Sequence, residues 1–337
     1  MTQSHAAAQI APPEPDLLLQ SATDLVAPEL EAVDRVIRAR LDSDIELIRA
    51  LGAHIIQSGG KRLRPMILLL SAKAAGCRGD HHILLAAVIE FIHTATLLHD
   101  DVVDASAMRR GRATANQIWG NQSSVLVGDF LYSRAFEMMI EPGNMEVMRI
   151  LAATTNTIAE GEVMQLMNMR SASTGEAEYL ETIRRKTAAL FAAAAQLGAV
   201  IGARDDWAPA LAAYGGALGD AFQLTDDMLD YTADSGALGK NAGDDLAEGK
   251  PTLPLIHAMR RGDSRQRATL RRAIENGERE RLGEVLEILA STGALDYTAE
   301  LARRRAAEAA DALAAIGESP AKQALISLAD FAARRGR

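Results

Sequence analysis

Two short acidic runs carry the strongest chemical signal in the sequence. Asp100-Asp101-Val102-Val103-Asp104 and Asp226-Asp227-Met228-Leu229-Asp230 both spell D-D-x-x-D. On a helix, the first and last carboxylates share a face and the middle one is adjacent. Three carboxylates in little more than one turn repel one another, and burying them is costly unless cations neutralise them. A single acidic triplet is ordinarily a solvated helix face. Here each copy is embedded in apolar sequence, Ala95 to Leu98 before the first and Phe222 to Leu224 before the second. Hard-cation chemistry follows: Mg²⁺ takes oxygen ligands, keeps waters, and is shared between one or two carboxylates and substrate phosphates.

Basic residues stand in matching clusters. Gly59-Gly60-Lys61-Arg62-Leu63-Arg64-Pro65 is a glycine turn, then cations, then a helix start. Glycines allow close backbone approach, a helix N-terminus favours anions, and Arg gives forked bonds to phosphate. Arg109, Arg110 and Arg112 follow the first acidic run, Lys186-Thr187 opens an Ala-rich segment, and Lys240 and Lys250 bracket Asp244-Asp245. Any one of these groups alone reads as solvated surface. Together with the aspartates they point to a metal–diphosphate ligand. His93, two turns before Asp100, falls on the same face, and Gln223, three residues before Asp226, can face the same cavity. His99-Asp100 admits a rival reading, the His-Asp pair of helical metal phosphohydrolases, with His54, His81, His82 and His93 as further ligands. That scheme leaves the second D-D-x-x-D and the basic clusters unexplained. Met164, Met167 and Met169 read as core packing.

The elements that must position these groups read as helices. The chain has 337 residues, 48% hydrophobic and 24% charged, with only 4% aromatic and abundant Ala, which excludes a wholly disordered chain and disfavours a sandwich or barrel. Leu30 to Ile55 forms one helical apolar stripe, and Asp80 is a candidate N-cap for a helix from about His82 to Asp104. Further helices are expected at about 123–140, 145–170, 176–203, 206–234, 245–260, 266–292, 297–315 and 319–335. The expectation is one all-α domain of long antiparallel helices over 16–337, after a loose tail at 1–15. A net charge of -9 argues against nucleic acid, and the lone Cys77 excludes a disulfide framework or a Cys-based zinc site. No Lys or Arg precedes Arg35, so neither a secretion signal nor a transit peptide is expected. The longest charge-free run, Thr187 to Ala203, is shorter than the roughly 20 residues of a membrane span and reads as a core helix.

These motifs, in this order, resemble the trans-polyprenyl diphosphate synthase family. The resemblance rests on Gly59 to Pro65, on His99 to Asp104 with Met108-Arg109-Arg110-Gly111, on Lys186-Thr187, on Phe222 to Asp230, and on Gly239 to Thr252. It spans about Leu30 to the C-terminus. Thr94 to His99 and Ser124 to Asp129 resemble its long-chain bacterial branch, the octaprenyl type above all. It implies a helical bundle, usually homodimeric, with the two acidic helices facing across a central cavity. It implies that Asp100, Asp101, Asp104, Asp226, Asp227 and Asp230 hold two or three Mg²⁺ ions, and that Lys61, Arg64, His93 and Arg110 grip isopentenyl diphosphate. Arg109, Lys186, Thr187, Gln223, Lys240 and Lys250 would line the allylic diphosphate, with Lys186 and Gln223 also in catalytic roles. Thr225 stands where relatives often carry an aliphatic residue, with a small expected effect on packing.

The implied reaction is repeated head-to-tail condensation of isopentenyl diphosphate onto an allylic diphosphate such as farnesyl diphosphate. The released diphosphate is the expected proton acceptor. A non-catalytic partner subunit would lose the aspartate motifs, and a terpene cyclase would not need the Lys61, Arg64 and His93 set. Ala95 and Thr96, five and four residues before Asp100, are small where short-chain relatives carry bulky aromatics, unless Ala95 is small only because helices pack closely there. A long-chain product is therefore expected, octaprenyl ahead of solanesyl or decaprenyl, destined for a quinone such as ubiquinone. Phe136, Met138 and Met139 are candidates for a deeper floor. The expected location is cytoplasmic, with no transmembrane segment and a transient membrane contact for product release.

Overall fold

Ala-rich segments with apolar residues at the helical period fold as helices through the described residues, 14–57, 60–109, 111–232 and 242–335 of a computed structural model. α1 (Pro15–Leu25), α2 (Ala27–Arg40), α3 (Glu46–Gln57) and α4 (Leu63–Ala74) lead to the long α5 (His81–Val103), which carries the first acidic motif. A two-stranded antiparallel ribbon, Met108–Arg109 with Arg112–Ala113, follows it. Next come α6 (Ala115–Trp119), α7 (Asn121–Ile140), α8 (Met145–Asn168) and α9 (Glu176–Ile183). A π-helical turn (Arg184–Ala188) joins α9 to α10 (Ala189–Ile201), and α11 (Ala208–Thr232) carries the second motif. The rest is α12 (Asp244–Glu248), α13 (Leu253–Arg261), α14 (Ser264–Asn276), α15 (Leu282–Ser291), α16 (Ala294–Ala312) and α17 (Pro320–Arg334).

The expected all-α architecture is what forms, and its departures from the expected segments have local causes. The stripe from Leu30 to Ile55 is two helices, separated at Asp42-Ser43-Asp44, where Ser43 Oγ accepts from the Ile45 backbone N–H. The segment expected at 245–260 breaks around Pro251, and 266–292 breaks at Gly277, whose φ of 67° ends α14. Asp80 sits at the N-cap of α5 but its side chain makes no capping bond. Asn144 caps α8 and Asp263 caps α14. Among the described residues the first helix starts at Pro15, and α1 packs on α17.

The core centres on α4, α5, α10 and α11. Ile67, Leu68, Leu70, Ile89, Ile92, Phe191 and Leu197 are fully buried. α10 is apolar apart from Gln196, as suits a central helix. α5 is long and apolar enough to cross a membrane by composition, yet it packs against α4 and α7, and its last turns bear the acidic motif. Met167, expected in the core, is exposed on α8.

Asp220, buried on α11, is 3.7 Å from Arg305 of α16, and one of its oxygens, Oδ1, lacks a donor. Burial pushes its carboxyl from 3.8 up to about 6, against the pull of Arg305. A carboxyl with a raised folded-state pKa favours the native state at low pH, and that contribution is lost as pH rises through about 6. Asp220→Asn is therefore expected to raise stability by about 1–3 kcal/mol at pH 8 and to change little near pH 4. Melting temperatures of both proteins between those limits check this; a gap independent of pH would contradict it.

Candidate active site

A cavity of about 670 Å³ opens between the two acidic helices. α5 contributes His93, Thr96, Asp100 and Asp104, spaced by three or four residues, so helical geometry alone aligns them on one face. α11 contributes Gln223, Asp226, Asp227 and Asp230 from the opposite wall. Both motifs thus reach one space.

Within each motif the carboxylates differ. Asp100 and Asp104 meet lysines across the cavity: Lys186 Nζ is 3.2 Å from Asp100, and Lys250 Nζ is 3.0 Å from Asp104. Asp101 turns away from the cavity wall, buried against Arg109, whose Nε donates to it at 2.8 Å. Burial holds its carboxyl above the usual range despite that partner. Asp227 is also buried, and both its oxygens are taken, by Tyr179 Oη at 2.6 Å and Gln223 Nε2 at 2.7 Å. Burial and the neighbouring charge of Asp245 push Asp227 up to about 8. Asp230 accepts from the backbone N–H groups of Asp244 and Asp245, each at 3.2 Å, and so caps α12. Asp226 is half-exposed, 2.6 Å from Arg335. The six aspartates are the expected metal ligands. Asp100, Asp104 and Asp226 present charge to the cavity, Asp227 lines it with both oxygens bonded, and Asp101 turns from it to Arg109.

Cations stand on both sides of the cavity. Lys61 and Arg64 come from the loop and first turn of α4, and Arg64 Nη1 lies 3.2 Å from His93 Nε2. Burial and the nearby Arg335 hold the Lys61 ammonium below its usual range. Arg62 sits in the left-handed region, φ 48°, and pairs with Glu90 and Asp34, which fixes the loop against α5 and α2. Lys186 and Thr187 lie in the π turn, a rare irregularity that occurs preferentially at functional sites. Gly161 of α8 makes room for that turn: a Cβ there would stand 2.5 Å from the Lys186 backbone nitrogen. Burial opposes the charge of Lys186, but Asp100 and Glu162 outweigh it and raise its pKa; Lys250 is raised in the same way by Asp245, Asp104 and Glu248. Arg110 and Lys240 lie outside the described residues.

Three residues of the site had no signal in the sequence. Glu162 bonds Lys186 from α8, and burial beside Asp100 pushes it up to about 7. Arg335, near the C-terminus, stacks 3.4 Å over the Phe222 ring and donates to Phe222 O as well as to Asp226. Tyr179 is the third. Only Gly161, an isolated glycine in a helical run, hinted at a close approach on α8. His99, by contrast, turns to α7, with Val125 O at 3.3 Å and Asp129 at 3.4 Å, and does not line the cavity. The His-Asp phosphohydrolase reading loses its first ligand.

No three His, Cys, Asp or Glu side chains among the described residues close on a common point. The carboxylates along the cavity suit a hard cation that takes one or two of them per ion and completes its shell with water and phosphate oxygens, as Mg²⁺ does.

Comparison with known proteins agrees with this geometry. Residues 45–291 match the polyprenyl synthetase family. The chain is 52% identical over 307 residues to octaprenyl diphosphate synthase of Haemophilus influenzae, covering 90% of this chain and 93% of that protein. It is 50% identical over 321 residues to the Escherichia coli K12 octaprenyl diphosphate synthase, covering 95% and 99%. A solved polyprenyl synthase from Caulobacter crescentus CB15, complexed with calcium and isoprenyl diphosphate, matches with a TM-score of 0.91 at 48% identity, covering 94% of this chain and 98% of that one. Sequence, fold and paired acidic helices agree: the chain belongs to the polyprenyl synthetase family.

Proposed function

We propose that this protein condenses isopentenyl diphosphate repeatedly onto an allylic diphosphate such as farnesyl diphosphate, ending at octaprenyl diphosphate. The observation that carries the reading is a single cavity with two separate sets of cations. Lys61 and Arg64, with His93 beside them, form one, and Lys186 and Lys250 form the other beside the aspartates. One diphosphate needs one set; joining two diphosphates needs both. The identity to octaprenyl synthases supports the product length.

Asp100, Asp104 and Asp226, with Asp230 behind them, would hold two or three Mg²⁺ ions. When bound, Mg²⁺ would offset the charge that develops on the leaving diphosphate. Lys186 and Lys250 add fixed positive charge beside that group as the allylic C–O bond breaks. The Lys61 and Arg64 pair holds the second diphosphate so that its double bond lies along the allylic carbon. Apolar walls such as Leu97 and Phe222 keep water from the cation. The carbon–carbon bond then forms, and the released diphosphate takes the proton.

A homodimer is part of this reading. α7 and α8 leave Leu126, Ile140, Val163, Leu166 and Met167 more than half exposed, an apolar surface suited to a second copy. The cytoplasm, with a transient membrane contact at product release and a quinone as destination, is the setting this chemistry favours. The test is to incubate the purified protein with farnesyl diphosphate, labelled isopentenyl diphosphate and Mg²⁺, and to size the dephosphorylated product. Octaprenyl chains are expected. Phosphate release from farnesyl diphosphate alone, with no elongation, would overturn the reading.

A further inference from the structure

Tyr179 has no part in the chemistry above, yet it is bonded into the site. Its ring sits on α9 at 6% exposure, packed with Ile183, Leu224 and Leu253 in a small apolar cluster, so it has little room to move. Its hydroxyl donates to Asp227 Oδ2 at 2.6 Å. Asp227 Oδ1 accepts from Gln223 Nε2 at 2.7 Å, and Gln223 Oε1 accepts from Thr187 Oγ1 at 2.9 Å. Four side chains from α9, α11 and the π turn thus make one continuous run of hydrogen bonds.

The run has a direction: in its ionised form Asp227 only accepts, and Gln223 turns its NH₂ to it. Its carbonyl oxygen then faces Thr187, whose hydroxyl must donate. Asp227 can impose this order only while its own carboxylate plane is fixed, because the last torsion of an Asp side chain is soft. No Lys, Arg or His among the described residues forms an ion pair with Asp227, so the neutral donors Tyr179 and Gln223 are what hold it. Both line the cavity, but Tyr179 is the one whose ring is also anchored in an apolar cluster.

We propose that Tyr179 is a positioning residue for the allylic site: it fixes Asp227, and through it the orientation of Gln223 and Thr187. This rests on the assignment of Gln223 and Thr187 to the allylic substrate. It also gives the middle aspartate of the second motif a role distinct from that of Asp226.

The experiment is a double-mutant cycle on the full-length protein with Tyr179→Phe and Thr187→Val, using steady-state kinetics for both substrates and a melting curve for each variant. Tyr179→Phe removes one oxygen and keeps the ring packing. It should lower kcat/KM for the allylic diphosphate by about tenfold to a hundredfold, the usual scale for outer-shell partners, and leave KM for isopentenyl diphosphate unchanged. The double variant should be no worse than Thr187→Val alone, because the relay is already broken. A merely structural tyrosine would lower the melting temperature and give losses that multiply. Multiplying losses, or wild-type kinetics in Tyr179→Phe, overturn the positioning role while the site assignment stands. Unchanged allylic kinetics in Thr187→Val would remove the site assignment itself, and the proposal with it.

Discussion

Asp100→Asn is expected to lower kcat by about a thousandfold at saturating substrates, the scale of removing one preorganised charge partner from a polar transition state. The change keeps shape, turns one acceptor oxygen into an NH₂ donor and removes one negative charge on the cavity wall. Asp100 faces the cavity with Lys186 at 3.2 Å, so neutralising it both weakens a cation site and alters the setting of the leaving-group lysine. Asp101→Asn is the informative contrast. Its carboxylate is buried against Arg109 rather than turned to the cavity, so its loss should release Arg109 and act mainly on allylic KM. Its kcat should fall far less. Mg²⁺ titrations of both variants at saturating diphosphates separate the two. A kcat for Asp100→Asn within tenfold of wild type, at saturating Mg²⁺, would falsify the placement of Asp100 at the reacting centre.

Thr96→Phe should cut the product from octaprenyl to roughly geranylgeranyl length while leaving Mg²⁺-dependent condensation intact. Thr96 lines the cavity one helical turn, about 5.4 Å, from Asp100, where a chain attached to the diphosphate first enters the interior. Its hydroxyl donates to His93 O at 2.7 Å, which holds this small side chain against the helix. A phenyl ring at that point closes the path. Ala95 behaves differently from its sequence neighbour. It is fully buried among the core helices and does not line the cavity, so its small size reflects close packing. Ala95→Phe should cost about 1–3 kcal/mol by overpacking, with product length a secondary effect. Of the residues considered for a deeper floor, Met138 and Met139 are fully buried in the same cluster, whereas Phe136 faces outward beside Tyr132. Chromatography of dephosphorylated products decides the matter: wild-type length from Thr96→Phe would mean the tail leaves the site by another route.

Much of this was legible in the sequence because it depends on local geometry. The spacing of His93, Thr96, Asp100 and Asp104 fixes their common face once α5 is a helix, and the apolar residues before each motif signal burial. The glycine-and-arginine loop before α4 and the Lys186-Thr187 pair announce anion sites by composition. The all-α class follows from period and Ala content. Other features depended on which helices meet. Glu162 reaches Lys186 across 24 residues and Tyr179 reaches Asp227 across 48, so nothing in the local pattern marks either acid or phenol. Arg335 reaches Asp226 from the far end of the chain. The motifs themselves are ambiguous in the same sense: D-D-x-x-D places three carboxylates together but does not say which one faces a neighbour. Packing decided that, giving Asp101 to Arg109 and Asp227 to Tyr179 and Gln223. A helix sets the angles between its own side chains, but which of those directions is cavity and which is wall is set only when other helices close around it.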